Sequence, residues 1–512
     1  MKVEKRKRRR NSIIRFLFVG ISVLAQAGWI LLLVLRLNEY SAQISLLTGI
    51  LALIAVLRIH SHHTNTALKM PWIMLILAVP VMGLSLYLLF ETLGHPNFIR
   101  KRLRDSRIKL DTALPRDDGL LDDLEKKDRT IANQFRYLRQ QGDAPVYRNT
   151  RVDYYSESSL AFAAMKAELE KAEDFIFMEY FILQDGVSFS ELRELLARKA
   201  KAGVEVRLMY DDFGSVGSTD LKFARELRRE GIRCQVFNPA MPVMNLFMNH
   251  RDHRKITVID GRVGFTGGYN LSDEYFGITH PYGHWKDLGV RLEGEAVRSL
   301  TAIFLELWNF CDPHPADSSR YLAVNHSAPS DGAYVQPYGD GPVGGERITE
   351  NVYLNLVGGA RKSVWFMTPY LIITDEMTRA LQLAAKRGVD VRIITPGIPD
   401  KKTVYALTRS YYAGLATQGV RIFEYTPGFC HGKLCVCDGE IASIGTSNLD
   451  YRSLYLHFEN NVLVYGCDAV ADMTADLEET FSQCREVTEK YRSRSGALRL
   501  WQCVLRLFAP LM

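Results

Sequence analysis

The sequence predicts an α/β protein of two duplicated lobes, each a mixed sheet flanked by helices, preceded by an N-terminal helical transmembrane segment. Three observations carry this. The 512 residues exceed what one ordinary core accommodates, two long apolar runs lie near the N-terminus, and short sequence blocks recur about 180 residues apart downstream.

The N-terminus comes first. Lys2, Lys5, Arg6, Lys7, Arg8, Arg9 and Arg10 crowd the first ten residues, although the net charge of the whole chain is only +6. Such a cluster suits anionic lipid headgroups on the cytoplasmic side of a membrane. A nucleic-acid-binding arm is the alternative, and the apolar runs that follow at once favour the membrane. Phe16–Leu35 is an apolar run of 20 residues and Trp72–Phe90 one of 19, broken only by Pro80. At about 1.5 Å per helical residue either is long enough for a hydrocarbon core of about 30 Å. Ile44–Leu57, 14 residues, is ambiguous, so two or three spans are open.

Arg100, Lys101, Arg102, Arg104, Arg107 and Lys109 follow the last run. The positive-inside rule then places both flanks in the cytoplasm, which requires an even number of spans. No small-residue cleavage site follows the first run, so a permanent multi-pass anchor in the plasma membrane is expected, with the globular part on the cytoplasmic side. The expected organisation is an anchor over 1–95, a basic helical linker over 96–144, lobes over 145–325 and 326–490, and a C-terminal amphipathic helix over 491–512. The eight cysteines have neither zinc-site spacing nor the density of a disulfide scaffold, and read as reduced and mostly buried. Cys435 and Cys437, two apart in a strand-like stretch, read as packing on one face.

The lobes rest on the repeat. FIFMEY at 175–180 is echoed by VWFMTPY at 364–370, GVEVRLM at 203–209 by GVDVRII at 388–394, and Gly231–Ala240 by Gly419–Gly428. Each unit runs helix, glycine, buried strand, the signature of α/β architecture. The Pro-, Ser- and Gly-rich stretch Pro313–Gly345 is the expected seam.

One pattern stands once in each lobe. His253, Lys255, Asp260, Gly261, Gly267 and Asn270 reappear as His431, Lys433, Asp438, Gly439, Gly445 and Asn448, every pair 178 residues apart. A histidine and a lysine two apart on a strand project to one side. Asp-Gly supplies a tight hairpin turn, and the returning strand brings a glycine that permits close backbone approach and an asparagine whose amide can donate to phosphate oxygen. Two such units face to face make a centre of two histidines, two lysines and two asparagines.

That centre fits a phosphodiester. Lysines and amides stabilise the extra charge on a pentacoordinate phosphorus while one neutral imidazole attacks and the other, protonated, serves the leaving oxygen. An imidazole titrating near about 6.5 can do either. The expected catalytic set is His253, Lys255, Asp260, His431, Lys433 and Asp438, with Asp260 and Asp438 serving the turns rather than proton transfer. Asn270 and Asn448 are the phosphate-binding candidates. Asp287 and Glu459, in corresponding places after each motif, are candidates to hold the far nitrogen of an imidazole, or else surface strand-end carboxylates. Lysines where carboxylate ligands would stand make a metal site a poor reading, and no cofactor is expected.

On these residues the chain closely resembles the phospholipase D superfamily, whose duplicated HxKxxxxD signature both motifs match, and within it the bacterial cardiolipin synthases. The narrower likeness rests on Asn249–Tyr275, on YDDFGS at 210–215, on GTSNLDYRS at 445–453, and on the N-terminal stretch ending NTALKMPWIMLILAVPVMG. It covers nearly the whole chain. The resemblance implies that two phosphatidylglycerol molecules yield cardiolipin and glycerol through a phosphohistidine, with His253 as nucleophile and His431 as general acid and base. Pattern alone does not order the two. Phosphatidylglycerol and anionic membrane lipids are the expected partners and nucleic acid is not, while the oligomeric state stays open.

Two stretches are candidates to face lipid: the Met-rich Pro239–Met248 and the C-terminal Leu498–Phe508, each alternatively packed against the protein body. The competing functions are a hydrolytic phospholipase D, a membrane-tethered phosphodiesterase or nuclease, and a non-catalytic membrane scaffold. Intact motifs in both lobes argue against the last.

Overall fold

The protein is described here by a computed structural model covering residues 41–62, 65–88, 97–111, 113–115, 119–219, 222–239, 249–312, 318–323, 332–492 and 505–507, with isolated positions 24, 27, 28, 31 and 509. The basic cluster at 2–10 lies outside the described residues. So do Phe16–Leu35 apart from isolated positions, 240–248 of the Met-rich stretch, and most of 498–508.

Two sheets carry the fold, and their topologies coincide. The first contains β1 (Thr150–Tyr155), β2 (Phe175–Tyr180), β3 (Glu205–Asp211), β4 (Arg233–Phe237), β6 (Lys255–Ile259), β7 (Val263–Gly267) and β9 (Gly289–Gly294), ordered β1-β9-β7-β6-β2-β3-β4. The second contains β10 (Tyr334–Asp340), β11 (Ser363–Met367), β12 (Asp390–Pro396), β13 (Arg421–Tyr425), β15 (Leu434–Cys437), β16 (Ile441–Gly445) and β17 (His457–Tyr465), ordered β10-β17-β16-β15-β11-β12-β13. The second extends beyond β13 by β18 (Cys484–Glu486). In each, three strands run parallel (β2, β3, β4; β11, β12, β13) and the motif hairpin joins antiparallel, so both sheets are mixed. The expected seam Pro313–Gly345 is not all connection. Its Tyr334–Asp340 is the edge strand β10, a run whose side chains are nearly all buried.

Strand alternation sorts the cores. Phe175 and Phe177 of β2 and Trp365 and Met367 of β11 face one central core between the sheets, which the helices Val297–Cys311 and Asp468–Gln483 help to fill. Ile176 and Met178 pack outward under the helices Ser158–Leu169 and Val187–Lys201. Val364 and Phe366 pack outward under Ile348–Gly359, Asp375–Lys386 and Lys402–Ala416, and Cys435 and Cys437 join them on that single face. All seven described cysteines are free.

The apolar N-terminal segment forms a helix Ser41–Ser61 followed by Thr66–Ala78 and Pro80–Tyr87. The Trp72–Phe90 run is therefore not one helix: it breaks at Val79 because Pro80 lacks an amide proton and starts the next helix. Ile44–Leu57 instead sits inside a 21-residue helix. Among the described residues no helix is long and apolar enough to cross a membrane. The hairpin buries a small core of Ala52, Ile59, Ile76 and Tyr87, and leaves Leu46, Leu47, Ile50, Leu53, Ile54, Leu57 and Leu77 exposed.

The two Asp-Gly turns have positive φ at both central residues, 52° and 63° at Asp260 and Gly261, 57° and 69° at Asp438 and Gly439, as a two-residue hairpin loop requires. Each carboxylate also caps the chain leading into its lobe's central strand. Asp260 accepts from the backbone N–H groups of Glu173, Asp174 and Phe175, Asp438 from those of Arg361, Lys362 and Ser363. Replacing Asp438 by Ala leaves three amides without their acceptor and should lower unfolding stability by about 2 kcal/mol, with Asp438→Asn losing less. Urea unfolding followed by far-UV circular dichroism measures this, and an unchanged midpoint for Asp438→Ala would contradict it.

Candidate active site

The motif histidines are positioned by strands that reach across the lobes. β5 (Arg251–Asp252), just before His253, pairs in parallel with the start of β17 in the second lobe. β14 (Gly428–Cys430), just before His431, pairs in parallel with β8 (His284–Lys286) of the first lobe. The His253 amide donates to Phe458 O at 2.9 Å and the His431 amide to Lys286 O at 2.7 Å. Each acceptor immediately precedes an acid, Glu459 or Asp287. Every lobe thus delivers its histidine against the other lobe's carboxylate.

The side chains complete the exchange. His253 Nδ1 lies 2.9 and 3.0 Å from the two Glu459 oxygens, and His431 Nδ1 lies 2.6 Å from Asp287 Oδ2. Both acids are wholly buried and both imidazoles nearly so. With Nδ1 held in this way, Nε2 is the nitrogen turned to a substrate, and at His431 Lys433 Nζ stands 3.0 Å from it. Lys255 Nζ donates to the His253 carbonyl and Lys433 Nζ to the His431 carbonyl, which draws each ammonium beside its own imidazole. The spacing of the glycines, repeated in both lobes, now has a steric reason. A Cβ on Gly267 would stand 2.2 Å from Leu288 O and one on Gly445 2.3 Å from Asn460 O, so only glycine admits the segments that follow Asp287 and Glu459.

Asn270 is more committed than the sequence suggests: its Oδ1 accepts from Ile182 N–H and its Nδ2 donates to Tyr275 OH at 2.8 Å. Asn448 Nδ2 donates to Asp450, and its Oδ1 is buried without a hydrogen-bond partner. Asp260 and Asp438 sit at the opposite ends of β6 and β15 from the imidazoles, serving their turns.

The surroundings of the two imidazoles differ. His431 is lined by Tyr275, Trp285 and Phe429, with ring centroids 5.2, 5.5 and 5.8 Å away. His253 is lined by Phe181 at 5.0 Å and by a third imidazole, His457, at 5.4 Å. Trp285 and His457 are counterparts, each two residues before its lobe's acid. Sequence reasoning missed His457, although strand alternation places the residue two before an inward acid on the same side. Asp211 of YDDFGS was not assigned a task either. It accepts from the amides of Phe213, Gly214 and Asp252, the last fixing β5 ahead of His253.

Burial governs the charges. It pushes His253 well below the usual histidine range, helped by the Lys255 ammonium and His457, and His431 down to about 4. It pushes Lys255 down to about 7 and Lys433 to about 8, and Glu459 well above the usual carboxylate range. The centre is short of negative charge, and an anion seated among these groups would draw protons back onto them. His253, His457 and Glu459 also offer three ligand atoms within 4.8 Å of one another, the only such group among the described residues. Two lysines in the same field oppose a cation there.

The sequence matches the family described as "Cardiolipin synthase, PLD-like domain" over residues 165–308 and 353–484, more than half of the chain and both lobes. The chain belongs to the phospholipase D-like cardiolipin synthase family. Residues 49–91 further match the family described as "Phospholipase_D-nuclease N-terminal". An uncharacterized protein of Streptococcus mutans is 40% identical over 90% of this chain and 99% of its own length. A cardiolipin synthase of Halalkalibacterium halodurans is 32% identical over 95% of both chains. Among solved structures, a phosphatidylserine synthase of Haemophilus influenzae superposes with a TM-score of 0.55 at 15% identity, covering 73% of this chain and 97% of that one, which supports the fold.

For this family member the depressed histidine gives a signed pH effect. His431 titrates near about 6.5 when unfolded and near 4 when folded, so between these values the unfolded chain binds more protons. Its contribution is complete above about pH 6.5 and is lost as pH falls toward 4. Glu157 and Asp211, both raised to about 7 by burial, act in the opposite sense, so a comparison isolates the histidine. Wild type should lose stability relative to His431→Gln by on the order of 3 kcal/mol from pH 7 to 4. Melting temperatures in detergent at both pH values test this, and a constant difference would rule it out.

Proposed function

We propose that the protein is a cardiolipin synthase: a phosphatidyltransferase that joins two phosphatidylglycerol molecules into cardiolipin and releases glycerol. The observation that carries this reading is the pair of crossed carboxylate–imidazole contacts, which bring two imidazoles and two lysines close enough to act on one another's charges. The curated relatives named cardiolipin synthase support the choice of reaction.

His253 Nε2 attacks the phosphorus of the first phosphatidylglycerol as Glu459 holds its Nδ1–H. The bond from phosphorus to the headgroup glycerol breaks, and His431, protonated beside Asp287, gives its proton to the leaving oxygen. A phosphatidyl group is left on His253. A glycerol hydroxyl of the second phosphatidylglycerol then attacks that phosphorus, His431 takes the hydroxyl proton, and the P–N bond breaks to free cardiolipin and neutral His253. Lys255 and Lys433 face the equatorial oxygens, where the substrate's charge restores the protonated lysines that burial disfavours. One phosphodiester is exchanged for another of similar energy, so no nucleotide is consumed. Asp260 and Asp438 hold the hairpins that carry these groups.

We place the protein in the bacterial plasma membrane through a multi-pass N-terminal anchor over 1–95, with both lobes on the cytoplasmic side. The basic residues on both flanks of the apolar segment support that sidedness, and the exposed leucines and isoleucines of the 41–88 hairpin suit a lipid environment.

Purified protein incubated with phosphatidylglycerol vesicles should release glycerol and cardiolipin in equal amounts, identified by mass. Formation of phosphatidic acid alone would replace this reading with a hydrolytic phospholipase D. His253→Ala and His431→Ala should each lower turnover at least about a thousandfold and Glu459→Gln about ten- to a hundredfold. Full turnover in either histidine variant would overturn the assignment.

A further inference from the structure

The surface around the site is not evenly polar. Among the described residues of the two lobes, six large apolar side chains are exposed: Leu160, Val187, Phe213, Ile278, Leu383 and Ile398. The parallel strands β2, β3, β11 and β12 end at the edge where the imidazoles lie, because β6 and β15 start there antiparallel to β2 and β11. Five of the six residues sit along that edge. Val187 opens the helix after β2, Phe213 and Ile398 lie on the loops after β3 and β12, Ile278 lies in the loop before β8, and Leu160 lies in the first turn of a helix whose Ser158 hydroxyl donates to Tyr275 O. Leu383 alone lies two turns away, toward the far end of Asp375–Lys386.

Phe213 and Ile398 are counterparts in the repeat, 185 residues apart like the strands before them. Both are 40% exposed, and both flank a strand that delivers a histidine. Phe213 lies under the guanidinium of Arg251 in β5, and Ile398 donates its amide to Gly428 O in β14. Ile278, 44% exposed, stands on the same rim. Lys401 and Lys402 follow Ile398 and are exposed.

The apolar N-terminal hairpin is fastened to this same edge. Asn65, at the turn into Thr66–Ala78, donates to Glu376 at 3.1 Å, and Glu376 lies in the first turn of Asp375–Lys386.

We propose that this rim is a membrane-docking surface: Phe213, Ile278 and Ile398 enter the headgroup boundary of an anionic bilayer, with Lys401 and Lys402 against lipid phosphates, so that the site opens directly onto lipid. The proposal rests on the synthase reading for the identity of the substrate but not for the docking itself. Apolar side chains set beside cations are what an interfacial surface requires, and excluding water at the mouth favours a lipid hydroxyl over hydrolysis.

The test uses full-length protein reconstituted into phosphatidylglycerol and phosphatidylcholine vesicles. An environment-sensitive fluorophore is placed at Ile398→Cys, Ile278→Cys or, as the far-edge control, Leu383→Cys, with the native-thiol background measured on the unsubstituted protein. Lipids brominated on the acyl chain should quench positions 398 and 278 at least about twofold more than position 383. Equal quenching at all three overturns the docking surface.

In a second arm, Ile278→Ser/Ile398→Ser should turn over vesicle phosphatidylglycerol about tenfold more slowly. It should leave turnover of a short-chain, monomeric phosphatidylglycerol unchanged. Equal loss on both substrates, or no loss on vesicles, also overturns it. Quenching without cardiolipin formation would count against the synthase reading alone, and cardiolipin formation without quenching against the rim alone.

Discussion

The structure depends on a crossed pair of contacts: Glu459 of the second lobe holds His253 of the first, and Asp287 of the first holds His431 of the second. A buried carboxylate without a partner is costly, and so is a buried imidazole with a dangling nitrogen. Each lobe alone would contain one of each. Docking the lobes cancels both penalties at once, so the arrangement that makes the centre chemically competent is also the one that makes it tolerable to bury. The parallel pairings of β5 with β17 and of β14 with β8 tie the backbones at the same two places, and the glycines at 267 and 445 clear the space.

Symmetry ends at the second layer. The two imidazoles share equivalent acids and lysines, but Trp285 stands beside His431 where His457 stands beside His253. An indole offers bulk and a fixed dipole, whereas an imidazole offers polarity and a titratable nitrogen. The two catalytic positions therefore work in unlike surroundings, which is what a reaction with one attacking group and one proton-transferring group calls for.

Much of this was legible in the chain. Six residues repeated at one spacing revealed the duplicated hairpin, because strand alternation and Asp-Gly turn chemistry act locally. The mixed sheets followed from the same periodicity. The exchange of acids between lobes was not legible: Asp287 and Glu459 could be picked as carboxylates near each motif, but which imidazole each one serves is a matter of docking that no local pattern encodes. His457 escaped for the same reason, since it acquires its neighbour only across the interface. Asn270 looked free to donate because nothing in its own segment reveals Ile182 and Tyr275 as partners. The apolar run from Trp72 had the length to span a bilayer, but the amide missing at Pro80 outweighed hydrophobicity in deciding where the helix stops.

The crossed contacts join residues 206 and 144 positions apart along the chain. Contacts that distant close late, after local hairpins and helices have formed. During synthesis the first lobe leaves the ribosome with a histidine whose orienting acid has yet to be translated. A nascent or truncated chain therefore holds an unfinished centre, and the cell is spared a half-built phosphodiesterase loose among its membrane lipids.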